Sequence, residues 1–221
     1  MKSHGFYKDI VDKDKINKIQ LDCLNFINQK CNKDENYFNH ISHKIKNLDV
    51  LINPIIYKKI SELLKYSSPE LVATELHVQK PYCEGIPYHQ DNFYHQVNPL
   101  ESLKILIPLQ NMNSDQGSLS FIDCENDIKV FKHIPSKVKN FSSYIPSNIL
   151  KDINLRHISY TYEVGDLSYH FVNSIHFSKG NKTNKDFLFI VFRYQIPNQI
   201  INEELKNKYE KCYAEHKKII N

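Results

Sequence analysis

His89, Gln90 and Asp91 place an imidazole and a carboxylate two residues apart. In an extended segment, residues so spaced point to the same face, and both side chains can then reach one metal ion. A third ligand has to come from elsewhere in the chain. Iron(II) held on one face by two histidines and one carboxylate keeps three coordination positions open. Those positions suit oxygen activation: two take a bidentate 2-oxo acid and one takes O2. Alone, the tripeptide is weak, because a surface His–Asp pair is its commoner meaning.

Ligands of this kind need a scaffold, and the chain supplies one in two textures. Residues 12–31 carry Ile16, Ile19, Leu24 and Ile27 at helical spacing. Asn53-Pro54 reads as an N-cap followed by a first-turn proline, opening a helix over 54–66 with Ile56, Ile60, Leu63 and Leu64 on one side. Residues 201–218 return to helical character. The N-terminal region, residues 1–68, is therefore expected to be helical. Between 71 and 197 the pattern changes. Segments at 71–79, 103–109, 118–122, 158–163, 167–172 and 187–195 are short, rich in β-branched and aromatic residues, and bounded by turn formers. Strands without helices between them point to an all-β sandwich or barrel. The polar stretch 125–152, with Pro135 and Pro146, reads as an excursion and a candidate active-site lid. One domain over 1–221 is expected.

Composition removes several classes. At 41% hydrophobic and 24% charged, the chain has material for a core and is not a disordered tail. The net charge of +4 comes almost wholly from lysine, the only arginines being Arg156 and Arg193. No dense basic stripe interleaved with aromatics marks a nucleic-acid surface. Cys23, Cys31, Cys83, Cys124 and Cys212 are odd in number, widely spaced and without C-x-x-C. That excludes a disulfide framework and a structural zinc site of ordinary spacing. No apolar run reaches transmembrane length, and Met1 to Asp14 lacks a signal-peptide core. A reducing, cytoplasmic setting and a small-molecule partner are the expectations.

The wider context of the tripeptide is more specific. Lys80-Pro81, seven residues, then His89-Gln90-Asp91 resembles the entry to the metal site of phytanoyl-CoA dioxygenase-like proteins. Asp115-Gln116-Gly117-Ser118-Leu119 resembles that family's N-G-x-L turn and strand. Gly165-Asp166, a short strand through His170, and then His176-Phe177-Ser178 with Asn181 and Thr183 resemble its Gly-Asp turn and distal histidine. The resemblance spans roughly 74–195. It implies a double-stranded β-helix (jelly roll, cupin-like), with His89, Asp91 and His176 as iron(II) ligands. It also implies an oxidoreductase that decarboxylates 2-oxoglutarate with O2 and hydroxylates a small or carrier-linked metabolite. The carboxylate at Asp91 disfavours halogenation, which needs that position for halide. Ser178 is expected to help hold 2-oxoglutarate, and His170 to be a packed strand residue. Tyr88, Phe93, Tyr94, His95 and Asn173 are candidate substrate contacts by proximity.

One departure stands out. The family places an arginine eleven residues after the distal histidine, to pair with the far carboxylate of 2-oxoglutarate; this chain has Phe187 there. Lys104, a lone charge in an otherwise apolar strand, is the expected replacement. Jumonji-type hydroxylases use a lysine at a similar offset after H-x-D. Arg193 is the other candidate. It shares the strand face of position 187 but lies about 20 Å further along. Three alternatives stay open: a cupin-like metal- or ligand-binding protein without redox turnover, an iron oxygenase that does not use 2-oxoglutarate, and a nucleic-acid demethylase, which would need a basic groove.

Overall fold

The computed structural model describes residues 3–29, 35–98, 100–123, 129–138, 141–151 and 156–220. In chain order the elements are β1 (His4–Tyr7), α1 (Lys13–Asn28), β2 (Tyr37–Asn39), α2 (Pro54–Leu64), β3 (Glu70–Gln79) and a single turn α3 (Asn92–His95). Then follow β4 (Ser102–Pro108), β5 (Leu119–Asp123), β6 (Ile134–Pro135), β7 (Ser143–Tyr144), β8 (Arg156–Ser159), β9 (Leu167–Phe171), β10 (His176–Ser178), β11 (Phe187–Gln195) and α4 (Glu203–Ile220). The result is a mainly antiparallel β architecture with a few helices. No helix of the described residues is long and apolar enough to cross a membrane.

Local chemistry explains the helix starts. Asp12 accepts from Asp14 N and Lys15 N at the head of α1, and Asn53 Oδ1 accepts from Ile56 N at the head of α2. Each such cap is worth about 1 kcal/mol. Two expectations from the sequence need correction. The region 1–68 is not all helical: β1 and β2 lie within it and close the two edges of the larger sheet. The strand expected at 158–163 is Arg156–Ser159, and Tyr162 beyond it makes only an isolated bridge with Met112. The expected strand pattern came from residue type, which cannot see that an edge pairing supplied by the N-terminus is available.

The larger sheet runs β1-β9-β4-β11-β3-β2 and the smaller β10-β5-β8. Period-two alternation in β4 and β11 divides the interior in two. Leu103, Ile105, Ile107, Leu188, Ile190 and Phe192 pack on the outer side against Ile16, Ile19, Ile56 and Ile60 of α1 and α2. On the inner side, Leu106, Phe187, Phe189 and Val191 meet Leu119 and Phe121 of the smaller sheet, with Met112 and Tyr162. The inner space between the sheets is therefore apolar at the Phe187 end of β11. At the other end the inward positions are polar: Arg193 is paired across the ladder with Lys104, and Lys104 with His170.

The smaller sheet brings the two halves of the candidate metal motif together. His89 forms an antiparallel bridge with His176, each N–H donating to the other's carbonyl at 3.0 Å. Just upstream, Gly85 lies against the Ser178 carbonyl, so close that any Cβ would collide with it. That close approach runs the chain alongside β10 on its way to His89.

Candidate metal centre

His89, Asp91 and His176 each offer a ligand atom, and these atoms lie within 4.8 Å of one another. All three residues are buried. His89 Nδ1 donates to Pro87 O at 3.0 Å, and His176 Nδ1 donates to Ser174 O at 3.0 Å. Each bond fixes the tautomer and leaves the Nε2 lone pair free. Those Nε2 atoms face the same carboxylate, His89 at 3.9 Å from Asp91 Oδ1 and His176 at 3.8 Å from Asp91 Oδ2. Burial pushes the His89 imidazole down to about 4 and holds His176 well below its ordinary value. Burial alone would raise the Asp91 carboxyl, but Lys104, His176 and the His170 hydrogen bond outweigh it, and Asp91 stays well below the usual carboxylate range. Two neutral imidazoles and one ionised carboxylate are the donor set a divalent transition metal needs, so the residues fit iron(II).

The convergence does not come from strand parity alone. His89 is in a bridge, but Asp91 already has helical backbone and caps the turn Asn92–His95. Gln90, between them, is fully buried. Its Nε2 donates to Lys129 O and Asn173 O, and its Oε1 accepts from Phe131 N. Its backbone N–H donates to His133 Nε2 at 3.1 Å, and His133 Nδ1 donates to Phe131 O. The motif is thus tied to the 129–133 segment by the residue whose identity the spacing rule ignores.

His133 accepts only while neutral, and burial pushes it down to about 3. The unfolded chain takes up this proton near pH 6.5, the native one only near 3. Stability is therefore complete above about pH 6.5 and falls as pH drops, by up to about 1.4 kcal/mol per unit for this group. Denaturant titrations at pH 7.5 and pH 5.5 should show the loss. His133→Asn should be less stable at pH 7.5 but flatter across the interval; an equal slope in the variant would count against His133.

A second polar group backs the metal ligands. Lys104 Nζ lies 3.3 Å from Asp91 Oδ2 and 3.4 Å from Glu75 Oε2. Glu75 in turn faces His77 Nε2 at 3.0 Å. Burial raises the Glu75 carboxyl, yet Lys104 and His77 more than offset this and bring it to about 2. His170 Nε2 donates to Asp91 Oδ2 at 3.1 Å. Sequence reasoning missed Glu75 and took His170 for packing. The sequence held no clean signal for Glu75, since β3 also carries Glu70, Thr74, His77 and Gln79.

The expected co-substrate and substrate residues separate. Lys104 is buried and faces two carboxylates of the protein itself. Ser178 Oγ donates to Gly117 O and accepts from Gly180 N. Arg193, at the polar end of β11, makes no ion pair among the described residues, and its buried Nε has no hydrogen-bond partner. His95 Nε2 is buried and unpartnered too. Tyr94 borders the site, its ring 6.4 Å from His89, with its hydroxyl donating to Ser143 O. Phe93 is stacked on His133 at 4.2 Å and packs against α4, so it is core. Tyr88 packs with Ile122, Ile145 and Ile175, of which Ile122 and Ile175 alternate with the inward-facing Phe121 and His176. Asn173 is buried and gives its carbonyl to Gln90. Phe141, in the expected excursion, meets His89 edge-on at 4.8 Å. Of the cysteines, Cys31 and Cys124 lie outside the described residues; Cys23, Cys83 and Cys212 are free thiols.

No protein-family model matches the chain, and no curated protein matches it significantly. Solved structures do. The carbocyclase SnoK from nogalamycin biosynthesis, described as non-heme and alpha-ketoglutarate dependent, aligns with TM-score 0.70 at 13% identity over 91% of this chain and 82% of its own. The epimerase SnoN, solved with Fe3+, alpha ketoglutarate and a nogalamycin compound, gives 0.71 at 12% over 91% and 82%. The non-heme monooxygenase ThoJ gives 0.71 at 13% over 100% and 95%. At such identities the likeness is one of fold.

Proposed function

We propose that this protein is an Fe(II)- and 2-oxoglutarate-dependent dioxygenase that hydroxylates a small or carrier-linked metabolite, built as a double-stranded β-helix. The observation that carries this reading is the buried His89–Asp91–His176 set, with both Nε2 lone pairs free and turned toward one carboxylate. The SnoK and SnoN descriptions support it, because proteins of the same fold use this metal and this co-substrate. When bound, iron(II) and the 2-oxo acid would together supply the reduction of O2, with succinate and CO2 as by-products. The protein's own residues orient and exclude. Phe141 and Tyr94 shield His89 from water on one side, and Phe121 lies against His176 and His170 on another, with ring centroids 5.9 and 5.3 Å away.

Charge supports a dianionic co-substrate. The formal charges of Asp91, Glu75, Lys104 and Arg193 cancel. A divalent cation leaves two positive charges in a buried place, and a 2-oxo dicarboxylate neutralises them. Arg193 is the cation we assign to the far carboxylate, with Lys104 as a lesser neighbour; Ser178, expected to help, is hydrogen-bonded to Gly117 toward the Phe187 end. Position 187 cannot serve, since Phe187 belongs to the apolar packing between the sheets. The co-substrate would then run toward the Arg193 end of β11 and away from Phe187. The test is succinate release with iron(II), 2-oxoglutarate and O2, screened over small acidic and carrier-linked metabolites. Succinate stimulated by one compound class, and abolished by a chelator, is the expected result. Compounds that bind while succinate never forms would favour a binding protein of cupin type.

A further inference from the structure

Asp91 offers two oxygens to a metal, and its surroundings treat them differently. Its Oδ2 has Lys104 Nζ at 3.3 Å and His170 Nε2 at 3.1 Å; its Oδ1 has no donor that close among the described contacts. Lys104 is not free to leave. It is buried, it sits opposite His170 and Arg193 in the ladder, and Glu75 holds it from behind at 3.4 Å. Glu75 is fixed by His77, whose ring is stacked on Phe189 at 4.8 Å. Inward positions on two neighbouring strands, Lys104 of β4 and His170 of β9, therefore converge on one oxygen, with Glu75 of β3 behind the lysine.

A carboxylate can bind a metal through one oxygen or through both. With both, it takes two positions of an octahedron instead of one, leaving two open where oxygen activation with a bidentate 2-oxo acid needs three. We propose that Lys104, held by Glu75, and His170 occupy Asp91 Oδ2 and so restrict the metal to Oδ1, making Lys104 and His170 positioning residues that keep the third open site. Glu75 has a second effect in this arrangement. It cancels the lysine charge, so the clamp does not repel the cation it serves. This assigns a reason for a buried ion pair beside a metal site, where a pair of well-packed apolar residues would stabilise the fold as well or better. The inference rests on the iron reading above.

The number of metal-bound waters reads the clamp without turnover. Mn(II) is loaded into the whole chain, and exchangeable waters are counted by 17O-water broadening of its electron paramagnetic resonance signal. Wild type should show about three. Lys104→Met alone would strand a buried Glu75 and disrupt the fold around it, so the variant used is Glu75→Gln/Lys104→Met, which removes both charges together. That double variant, and more strongly the same variant with His170→Phe, should still take up Mn(II) but with about two waters, as Oδ2 joins Oδ1 on the metal. Three waters in the wild type and in both variants would overturn the clamp while leaving the metal site standing. Two in the wild type would overturn it also. A wild-type chain that takes up no Mn(II) would overturn the iron reading, and the clamp with it.

Discussion

His89→Ala, Asp91→Ala and His176→Ala should each strip the protein of its metal, lowering Mn(II) or Fe(II) affinity by more than about 100-fold, beyond the 10–100-fold that losing an outer hydrogen-bonded partner of a ligand costs. The fold should survive all three. Removing either histidine deletes a neutral ring, and removing Asp91 leaves Lys104 still paired with Glu75 at 3.4 Å. Metal content after dialysis, with far-ultraviolet circular dichroism alongside, separates the two effects. The Asp91 variant should lose most, since among the described residues it removes the one carboxylate that faces both imidazoles. Undiminished metal in any two of the three would sink the assignment.

Arg193→Met should weaken 2-oxoglutarate binding to the metal-loaded protein by at least about tenfold, the loss of a charged hydrogen bond being worth about 1.5–3 kcal/mol. Iron affinity should hardly move, because Arg193 touches no ligand atom. Arg193→Lys should recover some of the loss: it restores the charge but not the paired N–H donors of a guanidinium. A 2-oxo monoacid of similar length, lacking the far carboxylate, should bind wild type and Arg193→Met alike. Isothermal titration under anaerobic conditions gives all of these constants. If Glu75→Gln/Lys104→Met weakens 2-oxoglutarate while Arg193→Met does not, the lysine is the anchor and its pairing with Glu75 opens on binding.

Residue type and spacing reach furthest where a pattern repeats. The long strands β3 and β11 were legible from residue type and the helices α1 and α2 from periodicity, because each buries a face against a large neighbour; α4, which packs on the short α3, β6 and β7, showed only general helical character. The metal-ligand candidates were legible as H-x-D plus a distal histidine in the right order. What escaped was non-local. β1 and β2 are three or four residues long and exist because sheet edges elsewhere accept them, which no local pattern reports. Lys104 was visible as a lone charge, but its partner was not, since Glu75 reaches it only through the β3-β11-β4 ladder order. Gln90 and His133 work through hydrogen bonds between segments about forty residues apart. Strand parity placed Arg193 and Phe187 on one face correctly; it could not tell that the interior is apolar at one end of that face and charged at the other.

One anaerobic spectrum tests the iron and 2-oxoglutarate chemistry most directly. Iron(II)-loaded protein is mixed with 2-oxoglutarate in the absence of O2, and the visible absorption is recorded. Chelation of the metal by the 2-oxo acid should produce a metal-to-ligand charge-transfer band that saturates at one equivalent, is missing in Asp91→Ala, and needs a higher concentration to appear in Arg193→Met. A protein that demonstrably holds iron(II), yet gives no such band at any concentration of 2-oxoglutarate, would contradict it.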